Sequence, residues 1–519
     1  MQDDKKNLTK SLGKRMTHVA SFLVAGKAIS LIINLFTFVI IARLIGPSNY
    51  GIYTIIMAIA ALFGGFGNPN ITAYIAERAP KLISAGKLSE AKRLFGDTLV
   101  LSIIFGIILT TIALFLSPFL SSYSLHNLSY SLILDFAILT IFFSLIYSTL
   151  YYHILSLNKG GSLATSSVIH ATSQGIFGIM LVLLGFGILG AISGFLLGLI
   201  IGTIFELYVL ITSIGITIST KKILLRMKKA LLFSKDIAYT NILNTIISNF
   251  SVIFLGLIVS SSLVGYYGIA SKVGSLIDVF IGAVALAVLP MFSEAIYKKK
   301  QGANAGKLFY YSVYMSLIFA TPIILLLSIF SNEIIYIAFN TAYIGAVFFM
   351  QIISIGILMS IFSSYGISFL ITSSKQNKVL KFTSISVILQ AIFLFILTPY
   401  FGVIGMIIAT FYIGNISLSA LYINYISKSG VQMHKWKIAR LVLANIIFAT
   451  ILIPFSFISP NSIGLLLGVV LMFVLYPILI GFIKAITKKD IEIIKSASKS
   501  IPILGIAIFS LASYMSRFC

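Results

Sequence analysis

The sequence predicts an all-α integral membrane protein of about fourteen transmembrane helices, forming two parallel six-helix lobes with two extra C-terminal helices. Three observations predict it. Hydrophobic residues make up 59% of the 519 and charged residues only 10%, with a mean hydropathy of +1.07, whereas a soluble domain carries about 25% charged residues. Apolar stretches of the roughly 20 residues needed to cross a bilayer recur with short polar gaps. Finally, 33 of the 37 lysines and arginines fall in alternate gaps, the pattern of the positive-inside rule.

Each span has its own boundary. The first, 17 to 43, follows a polar start, Met1 to Arg15, that lacks the apolar core and cleavage site of a signal peptide, so it is expected to stay as a span. Gly46 and Pro47 turn the chain into span 51 to 75. A charged gap ending at Arg93 precedes span 94 to 117, and an outer loop with the sequon Asn127-Leu128-Ser129 leads to 132 to 157. Lys159 separates this from 163 to 187, and a Gly-rich turn passes the chain to 188 to 213. A basic linker follows, then spans 236 to 260 and 264 to 292. The lysines between Lys298 and Lys307 precede spans 308 to 330 and 344 to 373; Lys375, Lys378 and Lys381 precede 382 to 400 and 404 to 427. Spans 440 to 458 and 463 to 483 complete the set. Beyond the basic amphipathic segment from Lys488 to Lys499, the apolar stretch 501 to 516 is short for a crossing and is read as interfacial, with a fifteenth span as the alternative.

A net charge of +24 on one face of a soluble domain would suggest nucleic acid. Here the basic residues line one side of a membrane, so no nucleic-acid partner is expected. The reading is a multi-pass protein of the cytoplasmic membrane, surrounded by membrane lipids, with its N-terminus in the cytoplasm and a monomer as the default state. The single cysteine, Cys519, rules out an intrachain disulfide and a Cys-based metal site; no metal and no cofactor are expected.

An internal repeat supports the two lobes. Asn49-Tyr50-Gly51-Ile52-Tyr53 matches Tyr266-Tyr267-Gly268-Ile269-Ala270 at an offset of 217, and Phe186-Gly187-Ile188-Leu189-Gly190 matches Phe401-Gly402-Val403-Ile404-Gly405 at 215. Lys27, Ser30, Asn34 and Thr37 correspond at 214 to Asn241, Asn244, Ser248 and Ser251, each set on one helix face. Six helices per repeat give parallel halves, one of the architectures of secondary transporters. The domains are then a cytoplasmic tail 1–16, an N-lobe 17–213, a basic linker 214–235, a C-lobe 236–427, spans 13 and 14 within 428–483, and a basic tail 484–519 with a short apolar end.

Ionisable groups inside the membrane are the candidates for chemistry, because a charge at a helix centre costs about 2.5–3.5 kcal/mol on insertion scales. Lys27 lies in span 1, Lys272 and Asp278 in span 8, Glu206 in span 6 and His170 in span 5. The lysines either snorkel to an interface or pair with acids, or they line a wet cavity and await an anion. Asn34, Asn241 and Asn244 either pack helices or face that cavity. His153, His170 and Glu206 read as structural, with Glu206 and Asp278 as the candidates for ion coupling. Arg43 is the basic residue of the outer face.

The run from Ala42 to Gly51, ARLIGPSNYG, resembles the sequence joining the first two helices in the oligosaccharide flippase family, also called the polysaccharide exporter family, of the multidrug/oligosaccharidyl-lipid/polysaccharide exporter superfamily. Phe66 to Ala79, FGNPNITAYIAERA, resembles that family's second helix and exit, and Lys488 to Lys495 its C-terminal tail. The similarity is strong over the first 95 residues and diffuse beyond; the apolar extension after Ile501 departs from the common ending. The resemblance implies an alternating-access flippase that moves polyprenyl-(di)phosphate-linked oligosaccharide from the cytoplasmic to the outer leaflet for surface polysaccharide or glycan assembly. In that setting Lys27 and Lys272 engage the phosphates, Asn34, Asn241 and Asn244 hydrogen-bond sugar hydroxyls, and Arg43 either attracts the headgroup or stabilises the turn. No Walker-type loop is apparent, so direct ATP hydrolysis is not expected. The alternatives are a multidrug or cation antiporter of the same superfamily, which needs acids in its cavity, and a membrane glycosyltransferase or ligase, which needs acidic residues in an outer loop.

Overall fold

The structure is a computed structural model describing the chain from residue 2 to 517, apart from 67–69, 126, 219–222, 298–301, 374, 428–434, 459–460, 489, 493–494, 496–509 and 511–512. Side chains are further left aside at 2–21, 24, 66, 236–237, 279–280, 282–297, 302–307, 435 and 461. Most of the 501–516 segment, and with it the question of a fifteenth span, lies outside the described residues, as does most of the basic tail before it.

The described residues form helices and no strands. Ten helical runs are long and apolar enough to cross a membrane, and three are too long for one crossing. Ala25–Gly65, Gly160–Ser213 and Gln376–Ser427 hold 41, 54 and 52 residues, which at 1.5 Å per residue is about 60–80 Å, twice or more the ~30 Å hydrocarbon core. Each is broken at glycine: Gly46 (φ 76°, ψ 169°), Gly185 and Gly187, and Gly402. Each run therefore supplies two crossings, as the sequence spans require. A further helix, Ser261–Tyr297, covers span 8, so the helices are compatible with fourteen crossings.

The faces that would meet lipid are apolar. On helix α3, Ile104, Ile107, Ile112, Phe115 and Phe119 are exposed along Leu88–Ser124. Such a stripe marks a surface solvated by acyl chains, where helices satisfy their own backbone groups.

The chain divides into two compact units, residues 1–264 and 265–519. The first unit contains α1 (Gln2–Phe66), α2 (Ile71–Ser84), α3, α4 (Ser131–Ser156), α5 (Gly160–Leu181), α6 (Gly187–Ser213) and α7 (Ile223–Ile258). α5 packs along α6 and α1, α4 packs on α3 and α6, and α7 on α1. Small residues let these backbones approach: a Cβ on Gly194 would collide with the Cα of Gly178 across the α5–α6 contact. Ile71, Ile75, Phe95, Leu150, Leu210 and Met227 close a core from α2, α3, α4, α6 and α7.

The second unit holds α8 (Ser261–Tyr297, most of its length), α9 (Gly302–Ile329), α10 (Ser331–Phe339), α11 (Ala346–Ile357), α12 (Ser360–Thr372), α13 (Gln376–Ile407), α14 (Asn415–Ser427), α15 (Lys435–Leu452) and α16 (Asn461–Phe482). α15 and α16 pack on α9 through Tyr314, Phe330, Phe448, Leu452 and Tyr476. The Tyr476 hydroxyl lies 3.0 Å from that of Thr321. Span 10 is one apolar run, Ala346–Thr372, in which α11 and α12 join through a tighter turn: Leu358 N donates to the Ile355 carbonyl at 3.1 Å and Met359 N to that of Gly356 at 3.2 Å. Ser419 Oγ donates to the Met359 oxygen at 2.7 Å.

The repeat appears in the backbone as well as in the sequence. Gly187 has φ 51° and ψ −125°; Gly402 has φ 54° and ψ −128°. That region is open to glycine and strained for other residues. Three residues on, Gly190 lies against the backbone at Leu181 and Val182, and Gly405 against Leu397 and Thr398. One turn has been built twice, 215 residues apart.

Candidate functional site

The polar interior of the first unit centres on Glu206. Residues 187–213 form a helix rich in glycine and apolar side chains, and Glu206 is fully buried in it. Ser166 of α5 donates to Glu206 Oε1 at 2.8 Å. A serine hydroxyl has one proton, so Tyr147 of α4 donates in turn to Ser166, at 3.3 Å. The Tyr147 ring stacks on His170 with centroids 5.3 Å apart. Glu206 Oε2 and His170 Nε2 are buried with no hydrogen-bond partner among the described residues. Three helices thus converge on a carboxylate with one neutral donor and no cation beside it. A bare charge is costly in that setting.

Two further polar links tie α3 down. His153, fully buried on α4, lies 2.8 Å from Thr98 Oγ1 with its ring 4.5 Å from that of Phe95, a helix-bridging contact. Arg226, at the start of α7, donates to Asp97 through Nη2 at 2.8 Å and through Nε as well, the two-pronged geometry that makes arginine–carboxylate pairs strong.

The remaining sequence candidates are distributed as follows. Lys27 is exposed on α1 and Asn34, further along, is half-buried, its Oδ1 without a partner. Arg43 is exposed just before the Gly46 break. Asn241 and Asn244 are exposed on α7, which packs against α1 beyond that break, Thr245 against Gly65 and Ile55 against Gly256. In the second unit Lys272 and Asp278 are exposed on α8. Asp278 Oδ1 accepts from Ser360 Oγ, at the start of α12, at 3.0 Å. Neither Lys27 nor Lys272 has an acidic partner among the described residues. The two sets stand on different units, and within the first unit the structure gathers Glu206 with Ser166, Tyr147 and His170 rather than with Lys27 or Asn34.

Sequence reasoning missed Ser166, Tyr147, Asp97 and Arg226 as partners. The one available signal was Asp97 itself, an acid just inside the mouth of an apolar span, behind Lys92 and Arg93.

These features define a multi-pass helical membrane protein with a buried carboxylate in its first unit and bare lysines on α1 and α8. The sequence profile described as polysaccharide biosynthesis protein matches residues 18–296, more than half of the chain, and the protein belongs to that family. An uncharacterized membrane protein of Methanocaldococcus jannaschii is 30% identical over 197 residues, 37% of this chain and 38% of that one; the match spans well under half of the relative's length. Among solved structures the fold is similar to the lipid II flippase MurJ in an inward closed conformation, with a TM-score of 0.67 and 17% identity, covering 88% of this chain and 97% of that one. It is also similar to an inward-facing multidrug resistance MATE family transporter of the MOP superfamily, with a TM-score of 0.63 and 17% identity over 79% of this chain and 99% of that one. A MOP superfamily transporter from Pyrococcus furiosus has a TM-score of 0.56 and 15% identity, covering 81% of this chain and 96% of that one. At these identities the likeness is one of fold.

Proposed function

We propose that the protein is an alternating-access flippase that moves a polyprenyl-phosphate- or diphosphate-linked oligosaccharide from the cytoplasmic to the outer leaflet, its lobes being residues 17–213 and 236–427. The observation that carries the reading is the pair of lysines, Lys27 and Lys272, in apolar helices with no acidic partner among the described residues. A lysine inside a membrane without an acid is costly, and a phosphorylated lipid head supplies the missing charge. Membership of a polysaccharide biosynthesis family supports a saccharide cargo. Asn34, Asn241 and Asn244 are assigned to sugar hydroxyls, and Arg43 to the outer exit.

The basic residues of alternate loops support an N-terminus in the cytoplasm. With that orientation, outward movement of one negative charge gains about 2.3 kcal/mol per 100 mV. Glu206, buried without a cation, is assigned to proton or cation coupling, with Asp278 as the second candidate. A buried acid also suits a multidrug or cation antiporter; the bare lysines favour the anionic lipid.

Replacing both lysines, K27Q/K272Q, is expected to lower flux of a lipid-linked oligosaccharide in proteoliposomes at least tenfold, with protein abundance and thermal stability retained. Unchanged flux removes both lysines from the mechanism.

A further inference from the structure

A cavity of about 370 Å³ opens at the end of the first unit where α2, α3 and the start of α7 meet. Its polar wall is Arg78, Arg93, Arg226, Glu90 and Asp97, and Tyr74 stands among its apolar residues. The volume falls within the ~300–1,000 Å³ of small-molecule sites.

The charges in it are unevenly committed. Asp97 is taken by Arg226 in the two-pronged pair, and Glu90 lies 3.3 Å from Lys87. Arg78 and Arg93, exposed on α2 and α3, make no ion pair or hydrogen bond with another described residue. Two guanidinium groups therefore reach one cavity with both of its acids already engaged. Planar guanidinium forks match phosphate oxygens. The walls are fixed from behind: Thr217 N donates to the Lys92 carbonyl at 3.2 Å, and Tyr74 meets Phe233 edge to face at 5.7 Å. The helix that brings Arg226, Met227 and Ala230 to the cavity also exposes Leu224, Leu225 and Leu232. Apolar side chains beside arginines suit the membrane interface, where a phosphate arrives attached to a lipid.

We propose that Arg78 and Arg93 form a binding site for the phosphate or diphosphate headgroup of a membrane lipid at the basic end of the first unit. The site is separate from Lys27 and Lys272. It rests on the proposed function only for its orientation, facing the leaflet from which cargo would be collected.

The test is binding of a fluorescent short-chain polyprenyl diphosphate to the full-length protein in nanodiscs of neutral lipid, comparing wild type, R78Q/R93Q and K27Q/K272Q. Loss of charge-assisted hydrogen bonds predicts affinity at least about tenfold weaker in R78Q/R93Q, with unfolding temperature unchanged because neither arginine has a partner to lose. Because Lys27 and Lys272 are themselves assigned to a lipid phosphate, R78Q/R93Q is introduced into K27Q/K272Q as well as into wild type; a further loss of affinity in that background assigns it to the arginines, so failure of the flux experiment leaves the site standing. Wild-type binding should also weaken with added salt, as exposed charges require. Competition assigns the source. Displacement by unlabelled polyprenyl diphosphate or by phosphatidic acid supports a lipid headgroup and says which. Displacement by inorganic pyrophosphate at equal concentration overturns the lipid assignment, and unchanged affinity in R78Q/R93Q overturns the site.

Discussion

Gly187 and Gly402 share one backbone conformation 215 residues apart, within 3° in φ and in ψ, yet the side chains around the two turns do not correspond. Nineteen positions past Gly187, α6 buries Glu206; the corresponding place in the second half is Leu421. The asymmetry runs the other way in the helices that follow the opening span of each sequence repeat. Lys272 and Asp278 on α8 answer, at the offset of 217, to Ile55 and Ala61 in α1. A repeat thus preserves what shapes the backbone, while these charged groups are placed once, in one half or the other. The polar faces diverge in burial only in part. Ser30 is buried on α1 where its counterpart Asn244 is exposed on α7, and half-buried Asn34 answers to exposed Ser248, while Lys27 and Asn241 are both exposed and Thr37 and Ser251 both buried.

The backbone equivalence can be broken most directly at its glycines. G187A and G402A each place a Cβ in a conformation that costs about 1–3 kcal/mol, so both should lower the unfolding temperature in detergent, by similar amounts. A large effect from one and none from the other would mean that the two turns are not equivalent in their support. The chemical asymmetry predicts a smaller stability effect at Glu206. E206Q keeps an oxygen for Ser166 to donate to and should change stability by less than about 1 kcal/mol. Its effect belongs in transport, where flux should lose its dependence on pH or cation gradient. A gradient dependence identical to wild type would leave Glu206 a helix-packing residue.

The membrane fold was legible because composition and hydropathy act over whole helices, and the Gly-rich turn at residues 186–190 was legible because no other residue type adopts that backbone readily. The tighter turn within span 10 was not, since Leu358 and Met359 are neither glycine nor proline and the hydroxyl that meets the Met359 carbonyl there belongs to Ser419, 60 residues away. Glu206 stood out in the sequence as a lone acid, but its partner Ser166 lies 40 residues off on another helix, one serine among many. Asp97 and Arg226, 129 residues apart, are an acid just inside a span and one basic residue of a linker rich in them, and no spacing in the sequence pairs the two. Periodicity tells which face of a helix is polar; it leaves open which helix that face meets.

The proposed activity is movement of an intact lipid-linked saccharide between leaflets. The most direct measurement is a proteoliposome assay in which a labelled polyprenyl-linked oligosaccharide starts in one leaflet and is sampled from the other by a membrane-impermeant lectin, with mass spectrometry of the recovered lipid. Faster appearance in the far leaflet than in protein-free vesicles, with the lipid chemically unchanged, is the expected result. Protein-free kinetics, or a saccharide found transferred or cleaved, would contradict it.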